Sequence, residues 1–186
     1  PPNRRQDANA GLAFAFLRNL PGEEVTTGHA NGLITIDLAE ADPAGRERLR
    51  QQLGERYRTP LGHFRHELGH YFWLRWAGDP VFLYACRGHF GDERADYGAS
   101  LENHYTYGPP ANWAERHISP YATAHPWEDF AETFAHLLHL LGTLESAHST
   151  GLSFRGADES FFAACPALHD PYTTPPAEFP QLLEAW

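Results

Sequence analysis

The order of apolar and polar residues predicts a short strand-forming region near the N-terminus, followed by a longer helical region. Residues 26–29 and 33–38 have the length and composition of strands, and Asn31-Gly32 between them is typical of a tight hairpin turn. Residues 11–22 are apolar up to Pro21-Gly22, which predicts a short helix that ends at this breaker.

The rest of the chain favours helices. Residues 43–55 are polar and predict an exposed helix. Thr59 can cap the next helix, with Pro60 at its first position, and that helix is expected to run to about Trp76, where Gly78-Asp79-Pro80 stops it. Further helices are predicted within residues 91–105 and from Pro126 to about residue 148, with a loop at 106–113 and a short amphipathic segment after Pro175-Pro176. These elements predict an α+β fold, mostly helical with a small N-terminal β-sheet, in one domain over residues 1–186.

Composition narrows the class of protein. The formal net charge is −10, which argues against a nucleic-acid-binding surface and against attraction to anionic membranes. No apolar run approaches the roughly 20 residues of a membrane span, and we identify no signal peptide. We therefore expect no nucleic-acid or membrane partner and a cytoplasmic location, while the sequence indicates no oligomeric state. The first residue is Pro1 rather than methionine, so the chain is expected to be a trimmed fragment.

The two cysteines, Cys86 and Cys165, are far apart in the sequence and form no CxxC motif. A structural zinc ribbon is therefore excluded within these residues. Two reduced, buried thiols in a cytosolic protein are favoured over a disulfide between them.

Polar side chains interrupt the apolar helix that follows Thr59. His66 and His70 are four residues apart and therefore lie on one helical face, with Glu67 beside them. This HExxH spacing is typical of two zinc ligands and a glutamate that activates the zinc-bound water. The alternative is an aromatic-rich, metal-free core helix, in which these groups and His63 would each need an internal hydrogen-bond partner.

A catalytic zinc has three protein ligands and one open position. Glu128 and Glu132 share one face of the helix that starts at Pro126, and we assign Glu128 as third ligand. Glu132 would then accept a hydrogen bond from a ligand imidazole. The alternative is that both are solvated acids near a helix N-terminus. Other candidate ligands on this segment are Asp129, His125, His136 and His139.

Several blocks together resemble a bacterial family of zinc-binding metallopeptidases. The blocks are TGHANGLITIDLAEADPAGRERLR, RTPLGHFRHELGHYFW, FGDERADYGASLENHYTYGPPANW and ISPYATAHPWEDFAETFAHLLH, and the resemblance covers roughly residues 11–152. It implies a zincin-like fold and a zinc-dependent hydrolase. Many members of this family look as if they carry an N-terminal zinc ribbon, which is absent here.

The helix after Pro126 is also similar to that of gluzincins, the zincins with a downstream glutamate ligand. In the group that contains anthrax lethal factor, a ligand glutamate is followed four residues later by a second glutamate, as Glu128 and Glu132 are here. The same resemblance implies that Tyr121 stabilises the oxyanion, an effect of roughly 3 kcal/mol per donor; His125 is the weaker candidate, and a packed loop aromatic is the alternative for Tyr121.

The resemblance suggests roles for three further segments. Strand 32–38 is expected to lie near a sheet edge that pairs with extended peptide, although Ile34 and Ile36 themselves favour a core strand. Asp92, Glu93 and Arg94 are interpreted as structural, in a helix cap or an ion pair. His29 and His104 are interpreted as hydrogen-bonded structural residues, with a place in a cleft as the alternative.

The predicted function is that of a zinc metallopeptidase, in which Glu67 activates a zinc-bound water for hydrolysis of a peptide or protein substrate. The alternatives are a zinc-containing protein-binding domain without protease activity, a hydrolase of non-peptide amides, and a metal-free structural domain.

Overall fold

The computed structural model describes residues 1–52, 58–151 and 170–186, which contain one three-stranded sheet and six α-helices. The strands are β1 (Ala13–Leu17), β2 (Gly28–Ala30) and β3 (Leu33–Asp37). The α-helices are α1 (Pro43–Gln52), α2 (Pro60–Trp76), α3 (Pro80–Phe90), α4 (Tyr97–Tyr107), α5 (Pro126–Ser149) and α6 (Phe179–Ala185). The predicted α+β fold, mostly helical with a small N-terminal sheet, is confirmed.

The chain divides into two compact units, residues 1–135 and residues 136–186, and the boundary falls within α5. In the second unit, Leu140, Leu144 and Leu182 form a buried cluster, with Leu141 and Phe179 packed against it. A single zincin-like domain over residues 1–186 stays a prediction.

The sheet has the order β1-β3-β2, with β1 parallel and β2 antiparallel to β3. The predicted hairpin is confirmed: Asn31 and Gly32 connect β2 to β3 with φ values of 47° and 82°. This conformation favours glycine at position 32. Because β3 is the central strand, it offers no free edge; Ile34 and Ile36 are buried in the core, and β1 and β2 form the edges among the described strands.

The predicted helix at residues 11–22 is wrong, because this segment contains strand β1. Phe14 and Phe16 alternate with alanines and lie against Phe64 of α2, with ring centroids 5.7 Å and 5.9 Å away. The backbone of β1 pairs with β3, about twenty residues later in the chain. A short apolar run is compatible with either a helix or a strand. Here the pairing of β1 with β3 determines that the segment forms a strand.

Helices α2 and α3 each begin directly after a residue whose side chain caps the helix. The Oγ1 of Thr59 accepts a hydrogen bond from the amide of Gly62, and α2 ends at Trp76 as predicted. The sequence interpretation missed α3, because it took Pro80 only as a stop. Pro80 is also the first residue of the next helix, which Asp79 caps. The helix predicted within residues 91–105 begins only at Tyr97.

An aromatic core joins α2, α3 and α5 in the first unit. Trp73, Cys86 and Phe130 are buried there, and the rings of Phe82 and Phe90 lie within 6 Å of Phe130. Burial raises the pKa of the Cys86 thiol. Cys165 lies outside the described residues, so the structure does not test a disulfide between Cys86 and Cys165. Within the described ranges, no helix has both the length and the apolar character needed to cross a membrane.

Gly69 sets the distance between α2 and α5. A Cβ at position 69 would lie 2.8 Å from the Cα of Ala131, closer than backbone atoms tolerate. We expect Gly69→Ala to lower the free energy of unfolding by about 1–3 kcal/mol, because the helices must separate. Urea denaturation measures this change.

Gly88 of α3 is the matched control, because a Cβ there meets no atom within 4 Å. Gly88→Ala should leave stability unchanged or raise it by up to about 1 kcal/mol. Equal stability of Gly69→Ala and the wild type would show that the two helices can move apart without cost.

Candidate metal centre

Three side chains from α2 and α5 meet at one point. The Nε2 atoms of His66 and His70 lie 3.0 Å apart. The Oε2 of Glu128 lies 3.0 Å from the first and 3.4 Å from the second. Tetrahedral zinc with bonds of about 2.0–2.1 Å requires ligand atoms about 3.3 Å apart. Among the described residues, these three form the group of histidine and carboxylate donors with metal-binding spacing.

The tautomer of His66 directs a lone pair into this point. Its Nδ1 lies 2.7 Å from the Oε1 of Glu132, and because a carboxylate accepts hydrogen bonds, Nδ1 carries the proton. In the neutral ring, Nε2 therefore presents its lone pair to His70 and Glu128. Two imidazole nitrogens and a carboxylate oxygen that face each other need a shared cation, either a proton or a metal ion.

The electrostatics favour positive charge at this point. Burial disfavours the imidazolium form of His66, but hydrogen bonds and charges from Glu128 and Glu132 outweigh it and raise the pKa to about 10. Glu128 is 1% exposed. Burial would raise its pKa, yet the two imidazoles hold it well below its usual range. The donor set and its charge therefore suit a divalent cation such as zinc.

The second oxygen of Glu128 has a partner that the sequence did not predict. The hydroxyl of Tyr97 donates a hydrogen bond to Oε1 of Glu128 over 2.7 Å. Tyr97 is the first residue of α4 and follows its cap, Asp96. The capping residue Asp96 is the sequence signal that could have located Tyr97 at the start of α4. The contact of Tyr97 with Glu128 spans 31 residues, so no local pattern predicts it.

Glu67 lies on the buried side of α2, next to the two histidines. It is 7% exposed, and its Oε2 is buried with no hydrogen-bond partner among the described residues. Burial raises the pKa of this carboxyl, the nearby imidazoles lower it, and Glu128 raises it further. A buried carboxylate oxygen without a hydrogen-bond partner is available to accept a proton.

Tyr121 lies in a short 3-10 turn, Tyr121–Thr123, before α5. Its ring centroid is 6.0 Å from that of His66 and 5.7 Å from that of His104. Burial, the charge of Glu128 and contact with Tyr105 raise the pKa of its hydroxyl. Tyr121 therefore stays protonated beside the three converging donors.

The competing candidates on α5 and directly before it have other contacts. His125 donates from Nε2 to the carbonyl of Ala95 and accepts at Nδ1 from the amide of Trp127, so both ring nitrogens are engaged. Asp129 faces His117, with 3.7 Å between Oδ2 and Nε2. His136 and His139 belong to the second unit, where their rings contact each other.

The remaining polar residues have structural contacts. The Nε2 of His29 accepts a hydrogen bond from the amide of Gly32, and burial lowers the pKa of His29 to about 4. His104 lies within 3.3 Å of the hydroxyl of Thr123. The predicted hydrogen bonding of these two histidines is confirmed. The ion-pair interpretation also holds: Asp92 pairs with Arg94, and Glu93 pairs with Arg87.

Comparison with known proteins places this chain in a family. Uncharacterized proteins of Mycobacterium bovis and of two strains of Mycobacterium tuberculosis are 45% identical over 184 residues, which is 98% of this chain and 51% of each relative. The chain thus spans about half the length of the curated relatives it matches. No solved structure matches it. A family model described as "Putative zinc-binding metallo-peptidase" matches residues 1–186, and the chain belongs to that family.

Proposed function

We propose that this protein is a zinc-dependent peptidase of the zincin type that hydrolyses peptide bonds in peptide or protein substrates. One observation carries the proposal: two imidazole nitrogens and a buried carboxylate oxygen converge within 3.4 Å. Glu67 lies between His66 and His70 in the sequence motif, and its buried Oε2 has no hydrogen-bond partner among the described residues.

His66, His70 and Glu128 would hold the zinc ion, and Glu132 would keep His66 in the tautomer that presents Nε2. When bound, zinc supplies a Lewis acid that polarises a carbonyl and lowers the pKa of water. Three protein donors leave a fourth position for substrate or solvent.

The protein's own groups would move the proton and stabilise charge. Glu67 accepts the proton from the attacking water and returns it to the leaving amine, so it acts first as general base and then as general acid. Tyr121, which stays protonated, donates a hydrogen bond to the oxyanion. Both residues stand beside the three donors that would bind the metal.

An extended substrate has an edge to pair with. Because β3 is central, β1 and β2 are the edges among the described strands, and the ring of His29 in β2 lies 6.0 Å from that of Tyr71 in α2. Addition of a peptide strand to β2 would bring its backbone alongside α2.

Zinc content and peptide cleavage test the proposal together. We expect one zinc per chain by elemental analysis and cleavage of members of a peptide library. Both should be lost on chelation and restored by added zinc. Stoichiometric zinc without cleavage of any peptide or of casein would favour a protein-binding domain or a non-peptide amidohydrolase. Absence of zinc binding would favour a metal-free structural domain.

A further inference from the structure

Tyr97, the last residue of the segment from Gly91 to Tyr97, contacts the candidate metal centre through its hydroxyl. Tyr97 donates to Oε1 of Glu128, while Oε2 of the same carboxylate faces His66 and His70. The two oxygens of Glu128 therefore have different environments. One is hydrogen-bonded, and the other is directed at the two imidazoles.

Several contacts hold Tyr97 in place. Asp96 caps α4 by accepting a hydrogen bond from Ala99, and the carbonyl of Ala95 accepts one from His125 at the start of α5. The ring of Tyr97 packs against His125 and Trp127, with centroids 5.2 Å and 5.5 Å away. The segment is thereby tied to the same end of α5 that carries Glu128.

The hydrogen bond has a consequence for coordination. A carboxylate can bind a metal through one oxygen or through both, and binding through both would fill the position that a substrate needs. A donor on Oε1 occupies that oxygen and leaves Oε2 as the metal-facing atom. Because Glu128 is 1% exposed, no bulk water can replace this donor at low cost.

We propose that Tyr97 is a positioning residue that holds Glu128 as a one-oxygen zinc ligand and so keeps the fourth coordination position open. The inference rests on the proposed function, since it requires zinc at His66, His70 and Glu128. It concerns a residue for which the sequence predicted no role.

Tyr97→Phe removes the hydroxyl and keeps the packed ring. We expect its zinc affinity, measured by competition with a chelator, to fall about 10–100-fold, as is usual when a residue that orients a ligand is lost. We also expect the visible spectrum of the cobalt(II)-substituted variant to weaken, because binding through both oxygens raises the coordination number. Tyr107→Phe, on the same helix but 80% exposed, is the matched control and should leave affinity and spectrum unchanged.

A double-mutant cycle shows whether Tyr97 acts through Glu128. In a Glu128→Gln background, Tyr97→Phe should cause little further loss of zinc affinity. An equal loss in both backgrounds would overturn the proposal, and so would wild-type affinity and spectrum in Tyr97→Phe. Urea midpoints of the metal-free variants are measured alongside, and an affinity loss explained by a smaller folded fraction would also overturn it.

The two proposals fail in different ways. If the wild type binds zinc and cleaves peptide while Tyr97→Phe behaves identically, only the positioning role is lost. If the wild type binds zinc without cleaving peptide, the peptidase proposal fails and the affinity comparison still decides the role of Tyr97. If the wild type binds no zinc, both proposals are overturned.

Discussion

Glu67→Gln is expected to abolish peptide hydrolysis while the protein keeps its zinc. Glutamine has the same shape as glutamate but cannot accept a proton from water, and general acid–base catalysis contributes about 10²–10⁴-fold to rate. We therefore expect kcat to fall by about that factor. Because Glu67 is outside the group of three converging donors, zinc should remain at one per chain. Initial rates on a cleaved library peptide and elemental analysis of the same sample measure the two quantities.

Two features of Glu67 make this test clear. Its side chain is 7% exposed, and replacement by a neutral amide removes a buried charge, so loss of folding is not expected to explain the result. Glu102→Gln, an exposed glutamate of α4, is the control and should keep full activity. If Glu67→Gln retained wild-type kcat, Glu67 could not be the general base and a different proton acceptor would be required.

Glu128→Gln and Asp129→Asn are expected to give opposite results for zinc binding. The two carboxylates are neighbours on α5 and both are buried, 1% and 7% exposed. Glu128 faces the imidazoles of α2, whereas Asp129 faces His117. We expect Glu128→Gln to weaken zinc binding by more than about 100-fold, because even partners outside the coordination sphere contribute about 10–100-fold. Asp129→Asn should bind zinc as the wild type does.

Competition with a chelator measures both zinc affinities. Each of the two variants removes one buried negative charge near the start of α5, so Asp129→Asn is the control for Glu128→Gln. Glu132→Gln should fall between them, with a loss of about 10–100-fold, since Glu132 lies 2.7 Å from Nδ1 of His66 and is outside the group of three converging donors. The assignment of Glu128 would be contradicted if Asp129→Asn lost zinc and Glu128→Gln did not.

Comparison of individual elements shows what sequence patterns can predict here. The hairpin at Asn31-Gly32, the cap at Thr59 and the start of α5 at Pro126 were all predicted, because each depends on residues within one turn. Strand β1 was predicted as a helix, because its structure depends on pairing with β3 rather than on its own residues. Helix α3 was missed because Pro80, interpreted as a helix stop, is the first residue of the next helix.

Their spacing alone puts His66 and His70 on one helical face with Glu67 beside them, since residues four apart on a helix are neighbours whatever surrounds them. The same spacing puts Glu128 and Glu132 one turn apart on a second helix. The packing of the helices, in contrast, determines that Glu128 rather than Asp129 meets the imidazoles and that Tyr97 donates to its other oxygen. These contacts depend on how closely α2 and α5 approach at Gly69 and on where α4 begins, and no local pattern contains those distances.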